Sequence, residues 1–277
     1  MSFVTYESLG QCGRLGNQLF QLAATIGHGQ KYGLEVRIPK RERFFDDKGV
    51  GVGPVEYLTY GMDTSIDYLP EKYELHNKYA ETSFGYNEIP KLEGNVSLAG
   101  YFQSYKYFSD YEDLVKKTFL RFNTSVQSQI NDVATQLPYN KPLTAIHVRR
   151  GDYVQKQDYH TVLPLTYYEA AKKEIGNNQS WNSESGGQNY VVFSDDIKWC
   201  KKNFPEDHYF VESGNPFVDL GVMSCCDNFI IANSSFSWWG AWLSYNENKR
   251  IVAPKNWFGP AYKISTQDLI PKSWIQL

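Results

Sequence analysis

At 277 residues, with 42% apolar and 21% charged side chains, the chain has material for one large packed domain or two of ordinary size. Its formal net charge of −3 lacks the basic excess of a nucleic-acid surface, which excludes nucleic acid as a partner. Aromatic residues reach 16%, among them 21 Tyr and 7 Trp; they suit an aromatic-rich core, and equally the flat faces of sugars and bases. Cys12, Cys200, Cys225 and Cys226 have neither a disulfide framework nor zinc spacing, so no metal site is expected. "MSFVTYESLG" lacks a signal-peptide pattern, and no run approaches the ~18 apolar residues of a membrane span. The expectation is a reduced, cytoplasmic protein with no transmembrane segment.

In chain order, "FVTYESL" reads as a strand and "LGNQLFQLAATIGHGQKYG" as a helix, with Leu19, Leu22, Ala23 and Ile26 at helical spacing. Gly33 is placed to end the helix, and "LEVRIP" is the next strand, stopped by Pro39. Residues 41–94 are turn-rich, aromatic and without a clean period. "NVSLAGYF" is a further strand, and helical patterns follow at 105–120 and 125–137, up to Pro138. Beyond Pro142 the alternation is regular. Strands "LTAIHV", "NYVVFS", "HYFVE", "NFIIA" and "RIVAP" are separated by helical segments beginning near Pro164, Asp196, Pro216 and Phe236. Continuous apolar strands between helices predict a parallel sheet covered on both faces, a doubly wound α/β domain. The first half is α/β but less regular, which puts the boundary near residue 138. "GNNQSWNSESGGQ", residues 176–188, reads as a solvated loop.

Ligands of open α/β sheets bind beyond the carboxyl ends of the strands, and four such ends carry chemistry. After the first strand, "GRLGNQ" supplies Gly13, Arg14, Gly16, Asn17 and Gln18. Those glycines serve either a tight strand–helix turn or the approach of backbone N–H groups to an anion. In "TAIHVRRGDY", His147 and Arg149 share one face and Arg150 points to the other. A guanidinium fixed at a strand end matches two phosphate oxygens. Asp152 could orient Arg149, bind a sugar hydroxyl or accept a proton, and a buried ion-pair network is the competing reading. The tripeptide Arg150-Gly151-Asp152 follows a buried strand directly, which argues against the exposed loop tip an adhesion motif needs. Ser194, Asp195 and Asp196 end the next strand, where an acid can cap the following helix or bind a ribose or base. In "ANSSFSWWGAW", Asn233, Ser234, Ser235, Phe236 and Ser237 lie where a strand gives way to a helix, a seat for a pyrophosphate. Trp238, Trp239 and Trp242 at helical spacing belong in a core. Asp219, within the apolar "FVDLGVM", needs a partner, and a guanine edge is a suitable one. The chain contains no D-x-D or E-x-D pair to hold a divalent ion on a nucleotide-sugar diphosphate, and no G-x-S-x-G.

"GRLGNQLFQLA", "HVRRGDY", "FSDD" and "NSSFSWWGAWL", in that order, closely resemble the α-1,2-fucosyltransferase family, which moves fucose from GDP-fucose to galactose. The resemblance implies two facing Rossmann-like domains, a GT-B-like architecture, and an inverting, metal-independent reaction without a cofactor. Residues 1–138 would form the acceptor-side domain with the glycine-rich loop, and residues 139–277 the GDP-fucose-binding domain. By the same resemblance Arg149 holds the β-phosphate and His147 lies beside the nucleotide. Gly13, Gly16 and Ser234–Ser237 line the diphosphate, and Asp219 matches the guanine-reading acid more loosely. Animal members carry a membrane anchor that this sequence does not show, so it is similar to bacterial or viral forms that could meet a membrane only peripherally. The implied acceptor is a galactose-terminated glycan. Asp152 is the first choice for the general base, with His28 or a carboxylate from 41–95 behind it. A transferase for another GDP-sugar and a non-catalytic glycan-binding protein remain the alternatives.

Overall fold

The computed structural model describes residues 2–41, 44–45, 51–52, 57–176 and 187–277. Most of the expected loop at 176–188 lies outside the described residues, as does part of the turn-rich stretch from 41 onward. The chain divides into two compact units, Met1–Asn123 with Ser265–Ile270, and Thr124–Ile264 with Pro271–Leu277.

The first unit contains β1 (Phe3–Thr5), α1 (Leu15–Tyr32), β2 (Glu35–Ile38), β3 (Phe44–Phe45), β4 (Gly51–Val52), β5 (Asp67–Tyr68), β6 (Asn77–Ala80), β7 (Val96–Ala99) and α2 (Glu112–Phe119). Five strands form a parallel sheet in the order β5-β2-β1-β7-β6, and β3 and β4 pair antiparallel. α1 follows from its spacing: Leu15, Leu19, Leu22, Ala23 and Ile26 are all buried. Gly33 ends it at φ 67°, in the left-handed region, donating its N–H to Gly29 O. Gly27 allows the Tyr107 carbonyl to lie directly against the helix, where a methyl group would collide with it. β1 is shorter than the pattern suggested because Tyr6 leaves the ladder. Its hydroxyl donates to Gly100 O at 2.6 Å and accepts from Gly100 N at 3.2 Å, tying the end of β1 to the end of β7.

The second unit contains α3 (Thr124–Ala134), β8 (Leu143–Val148), α4 (Leu165–Gly176), β9 (Asn189–Ser194), α5 (Ile197–Asn203), β10 (Tyr209–Phe210), α6 (Pro216–Ser224), β11 (Asn228–Ile230), α7 (Ser235–Leu243), β12 (Ile251–Ala253) and β13 (Ile275–Gln276). α3 packs on α6 and buries Val126 and Ile130. The unit therefore begins at Thr124, ahead of the boundary expected near residue 138. All six strands are parallel, in the order β10-β9-β8-β11-β12-β13. Counted along the unit this is 3-2-1-4-5-6, the doubly wound order, and its direction reverses between β8 and β11. Ile146, Val148, Val192, Ile230 and Val252 pack in one buried cluster with Tyr168, Ala171 and Cys200 from α4 and α5. Trp238 and Trp239 are fully buried and Trp242 is 7% exposed, so these rings are core as expected. Gly240 of α7 faces the Met223 side chain of α6 and lets the two helices approach closely. No helix among the described residues is long and apolar enough to cross a membrane.

Candidate active site

In the second unit the switch point of the sheet lies between the ends of β8 and β11. There the crevice rule places a ligand, and there the sequence places Arg149 and the 233–237 segment. Every residue of β8 is buried, so Arg149 leaves a rigid support. Its side chain is only 15% exposed and is held on two sides: Nη2 donates to Asp152 Oδ1 at 2.6 Å, and Nη1 pairs with Asp195 Oδ2 at 2.8 Å. The guanidinium carbon also lies 5.1 Å from the centre of the Tyr153 ring. Arg150 goes the other way, as strand alternation implies. Its Nε donates to Asp196 Oδ2 at 3.2 Å, and its guanidinium carbon sits 4.0 Å from the Trp199 ring centre. The arrangement depends on register: Val148 pairs with Ser194, so the residues after the two strands, Arg149 and Asp195, emerge side by side.

The acids after β9 divide their work. Asp196 caps α5 by accepting the Trp199 N–H at 3.2 Å, and the Ser194 hydroxyl accepts the Asp196 N–H at 2.9 Å. Asp195 caps no helix among the described residues and turns to the arginines, its Oδ1 accepting the Arg150 backbone N–H at 2.9 Å.

His147 is 5% exposed and lies 5.7 Å from the Phe236 ring. Burial, with Arg149 nearby, lowers its pKa to about 3, so it is a neutral imidazole at pH 7. Its Nδ1 has no hydrogen-bond partner among the described residues. α7 starts at Ser235 after Ser234, whose side chain makes no cap bond; its first turn directs backbone N–H groups and the positive end of the helix dipole into the same region. Asn233 is framework, donating through Nδ2 to Thr161 O and Trp257 O at 3.0 and 2.8 Å. Ser237 is fully buried and donates within its own turn to Ala232 O and Ser234 O. The Tyr153 hydroxyl donates to Asn233 O at 3.1 Å, joining the arginine loop to the start of α7. Its ring stacks on His160 at 4.2 Å and 7°. Tyr153 and His160 carry no readable signal in the sequence, since the turn that brings Tyr153 against Arg149 and His160 against Tyr153 has no apolar period.

Asp219 lies in the first turn of α6, where Asn215 caps the helix through the Phe217 N–H. It finds a partner in the chain itself: Oδ1 accepts the Ser213 hydroxyl at 2.6 Å. Burial outweighs that bond and raises the carboxyl to about 6.

In the first unit, Gly13 has φ 85°, and a side chain there would strike Asn17. Asn17 Oδ1 accepts from Gln103 Nε2 at 2.7 Å. Arg14 is exposed at the N-cap of α1 and Gly16 is buried in its first turn. Gln18 is 1% exposed and uses Oε1 to hold the Leu58 N–H at 3.1 Å, so it supports the loop. His28 is 3% exposed on α1, its pKa lowered by burial to about 4; a ring enclosed there cannot meet a substrate hydroxyl. Glu81, from the region that carried no readable motif, follows β6 and accepts the Tyr101 and Phe102 N–H groups, with burial raising its carboxyl.

The sequence profile of glycosyl transferase family 11 matches residues 65–277. Among curated relatives, the O-antigen biosynthesis glycosyltransferase WbnK of Escherichia coli is 34% identical over 231 residues, covering 79% of this chain and 70% of the relative. An alpha-1,2-colitosyltransferase of Escherichia coli is 30% identical, covering 67% and 64%. The galactoside 2-alpha-L-fucosyltransferase SEC1 of Bos taurus is 25% identical, covering 84% and 62%. The chain thus spans less than two thirds of the last two relatives. Among solved structures, POFUT1 in complex with GDP matches with a TM-score of 0.54 at 12% identity, covering 91% of this chain and 97% of that one. The fucosyltransferase NodZ from Bradyrhizobium matches at 0.51 and 12%, covering 88% and 93%. At these identities the likeness is one of fold.

Proposed function

The chain belongs to glycosyl transferase family 11, and from that premise we propose that it transfers L-fucose from GDP-fucose to the 2-hydroxyl of a terminal β-galactose in a glycan. The observation that carries the reading is Arg149, a guanidinium fixed at the switch point of a doubly wound sheet beside the start of α7. Two sources of positive potential, a planar fork and a helix N-terminus, suit a departing diphosphate. Names among the relatives support the rest: a galactoside fucosyltransferase and an alpha-1,2-colitosyltransferase.

The reaction is a single in-line displacement. The galactose 2-hydroxyl oxygen bonds to the fucose anomeric carbon as the bond to the β-phosphate oxygen breaks, and the β-linked donor becomes an α-linked product. Arg149 meets the growing charge on GDP, with no metal ion required. Asp152, held beside Arg149, receives the hydroxyl proton. His147, neutral and packed on Phe236, lies beside the nucleotide, and Asp219 reads the guanine N1 and N2 donors. The colitosyltransferase relative favours one second reading, a donor with a different sugar on the same nucleotide. Competition of GDP-mannose and free GDP against GDP-fucose separates the two.

Arg149→Lys tests the proposal. It keeps the charge and removes the fork, and should cost about 10²–10³ in transfer rate; near-normal transfer by this variant refutes the clamp.

A further inference from the structure

Asp195 poses a problem that the proposed function does not solve. A site that binds a diphosphate has no electrostatic use for a carboxylate, yet Asp195 lies 2.8 Å from the guanidinium assigned to the phosphate. Charge alone makes it a liability.

Geometry supplies the reason for its presence. Its two oxygens hold two consecutive residues: Oδ1 accepts the backbone N–H of Arg150 at 2.9 Å, and Oδ2 pairs with Nη1 of Arg149 at 2.8 Å. One carboxylate thus fixes both the direction in which the chain leaves β8 and the rotation of the guanidinium. Its own position is set by the register of β8 and β9, and its neighbour Asp196 is anchored as the cap of α5. A third constraint comes from Gly151. A methyl group on Gly151 would collide with Asp195 Oδ2, so the glycine of "RRGD" is the wall against which the carboxylate rests. Gly151 has no positive φ to explain it; the space taken by Asp195 does.

We propose that Asp195 is a positioning residue for Arg149, acting on the donor only through that guanidinium, and that Gly151 is glycine to admit its carboxylate. This replaces the earlier expectation that Asp195 touches ribose or base. The inference rests on Arg149 being the diphosphate-binding group of the proposed transferase.

A double-mutant cycle tests it, with kcat/KM for transfer from GDP-fucose as the readout. Asp195→Asn keeps the shape and removes the charge that orients Nη1. It should lower kcat/KM by about 10- to 100-fold, the scale of a misplaced binding group. Gly151→Ala changes no charge and should produce a loss of the same order by pushing the carboxylate aside. In an Arg149→Lys background both changes should add less than about twofold, because the group they act through is gone. Losses that multiply in that background overturn the inference, since a general structural role or direct donor contact would persist without Arg149. Near-normal activity of either single variant overturns it too. A wild-type protein that neither transfers fucose nor binds GDP refutes the functional reading itself. Multiplying losses in an active wild type refute only the role of Asp195.

Discussion

Asp219→Asn should make the protein more stable and worse at its task. Burial raises the Asp219 carboxyl from an ordinary 3.8 to about 6, despite the Ser213 hydroxyl bond that opposes the shift. Each pKa unit is about 1.4 kcal/mol, so ionised Asp219 costs the fold about 3 kcal/mol at pH 7.5. The sign follows from proton binding. Below about pH 4 both folded and unfolded chains are protonated and the penalty vanishes. Between about pH 4 and 6 the unfolded chain ionises first, and stability falls as pH rises. Above about 6 the loss is complete. Asparagine keeps an acceptor for Ser213 and carries no charge, so urea unfolding should find the variant about 3 kcal/mol more stable at pH 7.5 and only about 0.5 kcal/mol more stable at pH 4. The same variant should bind GDP about 10- to 100-fold more weakly, having lost a charged acceptor for the guanine donors. Equal stability at pH 7.5, or a gap unchanged at pH 4, refutes the assignment of a destabilised carboxylate. Unaltered GDP affinity refutes its use for guanine.

The two enclosed imidazoles give the opposite slope. His147 and His28 have pKa values lowered by burial to about 3 and about 4, so their contributions are present above about pH 6.5 and are lost as the pH falls. Together they should remove about 3 kcal/mol between pH 6.5 and 5, and His147→Phe should halve that slope in urea titrations. Asp152→Asn should lower kcat for transfer by at least about 10²-fold while leaving the KM for GDP-fucose within about threefold, the pattern of a lost general base. A larger change in KM than in kcat would instead mark Asp152 as a donor ligand. Gly27→Ala gains about 1 kcal/mol of helix propensity but forces a methyl group into the Tyr107 carbonyl. A net loss of about 1–3 kcal/mol is expected by thermal unfolding.

The strands of the second unit were legible where they are continuous apolar runs; β8 and β9 coincide with "LTAIHV" and "NYVVFS". β6 was not, because its residues alternate between half-buried and exposed at a sheet edge, and β13 is only two residues long. α3 was assigned to the wrong side of the boundary because its partner, α6, lies far along the sequence. At the site, alternation was enough to separate Arg149 from Arg150. The role of Asp195 was not readable, since it depends on how two strands register. Nor was the packing of Tyr153 against Arg149, with His160 stacked on Tyr153, which comes from a turn closing on itself.

The most direct measurement is of the product formed from GDP-fucose and lactose with EDTA present. The account predicts a fucosylated trisaccharide whose NMR spectrum shows an α-linkage to the galactose 2-position, at a rate that EDTA leaves unchanged and Arg149→Lys lowers by about 10²–10³. No trisaccharide, a β-linked product, or a rate abolished by EDTA would contradict it.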